Sequence, residues 1–110
     1  MFRVSNNNIS LIRGDSGIFE LAVKDTDGKD VELSVDDQLT FTVRRTAKSP
    51  LIVIQKQIEP LSKTINIKPA DTASLPFGAY VYDVELSRSD GFVDTIIPPH
   101  EFLLLEEVTY

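Results

Sequence analysis

The 110-residue sequence predicts an all-β chain folded as an antiparallel β-sandwich of about eight strands. Two patterns lead there. Apolar residues recur with period two along most of the chain, and turn-forming pairs interrupt them every 8–12 residues or so. A strand collects alternate side chains on one sheet face, whereas a helix would scatter them around its axis.

Taken in order, Ile9–Arg13 is apolar and β-branched enough for a first strand, expected at a sheet edge. Gly14-Asp15 then makes a bend that lets the chain change sheets. In the next strand Phe19, Leu21 and Val23 share one face and Glu20 and Lys24 take the other. Asp27-Gly28 reads as a hairpin turn into a short strand around Val31–Leu33, because Gly accepts positive φ without steric cost. After a turn at Ser34–Asp37, Leu39, Phe41 and Val43 alternate with Thr40, Thr42 and Arg44.

Ser49-Pro50 and Glu59-Pro60 bracket a strand over Leu51–Ile58, and Lys63–Lys68 reads as the next. Pro69 to Gly78 is different: small polar residues between two prolines suit a helical turn near 69–75 and a compact crossing between sheets. Tyr80, Tyr82, Val84 and Leu86 then alternate with Ala79, Val81, Asp83 and Glu85. Asp90-Gly91 turns this strand into Phe92–Ile97, and Pro98-Pro99 separates that from a last strand, Glu101–Val108.

One local pattern points to the immunoglobulin-like form of the sandwich. Leu75-x-x-Gly78-x-Tyr80-x-Tyr82 follows the crossing loop. In such folds a tyrosine early in a late strand returns its hydroxyl to the preceding loop, a tyrosine corner. Tyr80 is the expected corner, with Tyr82 pointing into the core.

The whole chain, 1–110, reads as one domain of 12.3 kDa. There is no cysteine, which removes disulfides and thiolate metal sites and favours an intracellular assembly site. The start, MFRVSNNNIS, has no long apolar run or small-residue cleavage site, so neither a signal peptide nor a membrane span is expected. A net charge of −6 makes nucleic acid a poor partner.

Chemistry-bearing patterns are sparse. His100 is the only histidine, so no zinc site or nucleophile–base pair can be assembled around it. Asp25-Thr26-Asp27-Gly28-Lys29-Asp30 has the carboxylates of a calcium loop but lacks a closing bidentate Glu, and reads better as a solvated hairpin turn. Arg13-Gly14-Asp15 spells an integrin-recognition tripeptide, yet the bend explains it. Asp83 and Glu85 share a strand face, as solvated acids do, and no Trp offers a sugar-stacking platform. Neither catalysis nor a cofactor, metal or small-molecule substrate is expected.

Leu51-Ile52-Val53-Ile54 and Phe102-Leu103-Leu104-Leu105 are apolar on both faces, although a sandwich strand needs only one. Leu51, Val53, Leu103 and Leu105 are therefore interface candidates toward another chain or another copy, unless loops cover them.

The order of motifs resembles small tail- and baseplate-associated proteins of phages and prophages of Gram-positive bacteria, which are similar to the immunoglobulin-like N-terminal domain of siphophage upper-baseplate proteins. The resemblance runs from about Ile9 to Thr109. It rests on the Arg-Gly-Asp-Ser bend before an alternating strand, Asp37 ahead of Leu39–Val43, Pro69-x-Asp71-Thr72 before Leu75-x-x-Gly78-x-Tyr80, and the closing Glu107-Val108-Thr109. The chain departs from the upper-baseplate proteins in carrying no long helix after the sandwich. The resemblance implies a non-catalytic virion component, made and assembled in the bacterial cytoplasm, that contacts other tail or baseplate proteins or copies of itself. It transfers no binding residue. The competing expectation is a cell-surface or secreted binding module, an adhesin or carbohydrate-binding sandwich.

Overall fold

The computed structural model describes residues 2–5, 8–20 and 32–106. They form strands β1 (Phe2–Ser5), β2 (Asn8–Ile12), β3 (Gly17–Glu20), β4 (Gln38–Arg44), β5 (Ile52–Ile58), β6 (Thr64–Ile67), β7 (Gly78–Ser87) and β8 (Val93–Leu105), with one helical turn, α1 (Pro69–Thr72). The strands make two sheets, β1-β2-β8-β7-β4-β5 and β3-β6. The fold is the expected all-β sandwich with one helical turn, but its larger sheet is mixed rather than wholly antiparallel, because β2 runs parallel to β8.

Alternation decides which side chains are interior. Leu39, Phe41 and Val43 of β4 lie beside Leu86, Val84 and Tyr82 of β7 in antiparallel register, and all six are buried. Ile9 and Leu11 of β2, Phe102 and Leu104 of β8, and Ile65 and Ile67 of the small sheet join them in one core cluster. At its centre the Phe41 ring lies 5.2 Å from Tyr82 and 6.1 Å from Phe102, the tilted geometry that aromatic quadrupoles favour.

Burial pushes the Tyr82 hydroxyl up to about 12, because the phenolate loses its hydration there. The folded chain thus holds this proton more tightly than the unfolded one. The resulting stability is fully present below the ordinary tyrosine value of 10 and is lost as pH rises from there toward 12. Urea midpoints measured in this range should fall with pH, and Tyr82→Phe should flatten the Tyr82 part of the slope.

Three expectations about the strands need correction. The first predicted strand is not at an edge: β2 pairs antiparallel with β1 and parallel with β8. Phe92–Ile97 and Glu101–Val108 are not separate strands within the described residues, since β8 runs unbroken from Val93 to Leu105. The two prolines are absorbed where the register with β7 shifts, between Tyr82↔His100 and Val84↔Ile97. A bulge is one of the few sheet positions that tolerates a residue without an N–H. Glu32 and Leu33 form no strand. The hairpin read at Asp27-Gly28, Leu21, Val23 and the closing Glu107-Val108-Thr109 lie outside the described residues.

Candidate functional site

The loop elements come first, because they fix the surfaces around them. The Tyr80 hydroxyl donates to the Pro76 carbonyl oxygen at 2.6 Å, four residues upstream. The Arg45 guanidinium covers the Tyr80 ring at 4.7 Å. Tyr80→Phe removes that hydrogen bond and leaves the carbonyl short of a partner; a loss of about 1–2 kcal/mol is expected in urea unfolding.

α1 accounts for the Pro69-x-Asp71-Thr72 pattern. Pro69 starts the turn, where its missing N–H costs nothing. Asp71 accepts from the Lys68 N–H at 2.7 Å and pairs with the Lys56 ammonium of β5 at 2.5 Å. Partial burial works to raise the Asp71 carboxyl, but these hydrogen bonds and the two lysine charges together hold it below its ordinary value. Thr72 is fully buried, and its Oγ1 accepts from the Gly14 N–H at 2.9 Å, pinning the bend between β2 and β3.

The same bend decides how the Arg-Gly-Asp tripeptide is held. Arg13 donates to the Leu75 carbonyl oxygen at 3.3 Å, and its guanidinium lies 4.9 Å over the Phe77 ring. The arginine is folded down onto the crossing loop. A recognition loop would have to hold it out in solvent, so this geometry does not favour adhesion.

The outer face of the six-stranded sheet is divided. Over β4 and β5 it is an amide and hydroxyl surface, with Gln55 donating to Thr42 at 3.3 Å and Gln57 to Thr40 at 3.2 Å. Asp83 and Glu85 of β7 complete this half, which forms a shallow concavity of about 300 Å³. Over β2, β8 and the start of β7 the face is apolar: Leu103 lies between Ser10 and Ala79, and Leu105 beside Ile12. Leu105 is 39% exposed and Leu103 half-buried, with half-buried Val81 in the next row.

The structure therefore gathers only part of the candidate set. Leu103 and Leu105 share the apolar corner. Leu51 is exposed but lies ahead of β5, which is three strand spacings, about 14 Å, from β8. Val53 is half-buried and packs against the core instead. The β4–β5 register shifts from Val43↔Ile54 to Arg44↔Ile52, and Val53 is the extra residue. Alternation counted through such an irregularity assigns the wrong face. Ile12, Val81 and Ala79 were missed, since each strand looks ordinary alone and only the cross-strand register brings them together.

No known protein-family model matches the chain, and neither does any characterised protein. The functional reading therefore rests on the residues themselves. Among the described residues no three His, Cys, Asp or Glu side chains are grouped to hold a metal ion. His100 lies against the Tyr82 ring, 6.4 Å between centroids. Also among the described residues, no helix is long and apolar enough to cross a membrane. The calcium-loop-like segment, 25–30, lies outside the described residues.

Proposed function

We propose that this protein is a non-catalytic structural or assembly component of a phage or prophage tail or baseplate, working through contacts with neighbouring tail proteins or copies of itself. The observation that carries the contact role is the apolar corner formed by Ile12, Leu103, Leu105, Ala79 and Val81 on an outer sheet face. A sheet face turned to solvent ordinarily alternates to polar residues, as the Thr–Gln half of this same face does. An apolar cluster beside it supports docking against another protein surface. The phage context is supported by the order of turn and core motifs, whose loop residues each make a specific contact: Asp37 closes its turn with Ser34, and Asp71 and Thr72 tie α1 to β5 and to the Gly14 bend.

The test is made on particles. Tails purified from a strain producing the wild-type chain should contain it in fixed stoichiometry by mass spectrometry. Leu103→Asp should leave the thermal midpoint within a few degrees, since the residue is on the outer face, yet reduce incorporation at least tenfold. Recovery of the wild-type chain solely in the free-protein fraction would overturn the tail assignment. Unchanged incorporation of the Asp variant would overturn the assignment of the corner as the contact.

A further inference from the structure

The polar half of the outer sheet face is built as two cross-strand rows, Gln57–Thr40–Glu85 and Gln55–Thr42–Asp83. In each row a glutamine amide N–H is spent on the threonine hydroxyl oxygen, at 3.2 Å in the first and 3.3 Å in the second. These bonds hold the two amide carbonyls as fixed acceptors on the same face as the carboxylates of Asp83 and Glu85. Two residues apart on β7, those carboxylates stand roughly 7 Å from each other along the strand. Neither has a hydrogen-bond or ion-pair partner among the described residues. Gln55, Gln57 and Glu85 are exposed, and Asp83 is half-buried.

The concavity of about 300 Å³ that these rows line is therefore rich in acceptors, and its two negative charges face one positive charge, Arg44. Among the described residues no third carboxylate or imidazole joins the pair to hold a metal ion, and no aromatic ring lines the hollow for a sugar to stack on. Two carboxylates with two amide oxygens are complemented by a planar cation carrying several N–H donors, a guanidinium. Half-buried Val81, next after Asp83 on the same face of β7, carries the hollow directly into the apolar corner, with Ala79 and Leu103 beyond it.

We infer that this concavity seats an arginine side chain of the partner protein that packs on the apolar corner. A second copy is a poorer occupant, since it would set two acidic hollows against each other on chains of net charge −6. The inference rests on the assembly reading for its partner, and its test is made on the free chain.

The probe is acetyl-Arg-Leu-Leu-amide, which joins one guanidinium to an apolar tail, compared with its lysine and citrulline counterparts. Citrulline keeps the planar shape and loses the charge. In NMR titrations the arginine peptide should saturably shift the side-chain amides of Gln55 and Gln57 and the backbone amides of Thr42 and Asp83. It should bind roughly tenfold more tightly than either counterpart. Asp83→Asn combined with Glu85→Gln should weaken it roughly tenfold, with an unchanged thermal midpoint as the folding control. Asp90→Asn, in the turn beyond the end of β7, should leave it unaltered. Absence of these shifts, equal binding of either counterpart, or full affinity in the double variant overturns the inference. Light scattering supplies a further arm: a wild-type dimer that Arg44→Ala disperses would give the carboxylates to a second copy, and so also overturn it. A chain that enters tails yet shows no such shifts would lose the arginine contact and keep the assembly role.

Discussion

Phe41→Ala is expected to cost about 3–5 kcal/mol of folding stability, which few domains of this size can spare. Phe41 has no exposed surface and sits where the two sheets meet. Its ring touches both Tyr82 and Phe102, so truncation removes two aromatic pairs as well as the buried area, and leaves a cavity that strands fixed on both sides cannot close. The urea midpoint should fall steeply with little change in the slope of the transition. A cost under about 1 kcal/mol would mean that the ring is not at the centre of the core.

Gly78→Ala is the second large effect, about 2–3 kcal/mol, and its mechanism is different. Gly78 has φ +144°, a conformation essentially restricted to glycine, at the junction of the crossing loop and β7. A Cβ there would also meet the Arg45 guanidinium at 3.2 Å. Moving Arg45 away uncovers the Tyr80 ring, so the substitution strikes the corner as well as the backbone. Gly91 is the internal control: φ is +95° but no atom lies within 4 Å of an added Cβ. Gly91→Ala should therefore cost only about 1 kcal/mol, from backbone strain. Equal losses at the two positions would contradict this account of Gly78.

The comparison shows which parts of a β-sandwich are legible in one sequence. Phe41, Tyr82 and Val84 were readable as interior because a strand's period is fixed by backbone geometry and needs no knowledge of its neighbours. The Tyr80-to-loop hydrogen bond was readable as a spacing, since both partners lie within four residues. Non-local features were not. Whether β2 is an edge depends on β1, a short strand that offers little pattern of its own. Pro98-Pro99 looks like a stop signal until the register of β7 reveals the bulge that accommodates it. The candidate surface was half legible for the same reason: Leu103 and Leu105 announced themselves as apolar on the wrong face, while the bulge turned Val53 inward and topology carried Leu51 away.

The central structural claim is that β8 is held by β2 and β7 together over Phe102–Leu105 and, among the described residues, by β7 alone over Val93–Ile97. Native-state hydrogen exchange of the free protein, read amide by amide, tests this directly. Amides of β4 and β7, and those of β8 over Phe102–Leu105, should all be strongly protected, whereas within Val93–Ile97 protection should alternate between amides bonded to β7 and amides facing outward. Uniform protection along the whole of β8, or unprotected amides in β4, would contradict the account.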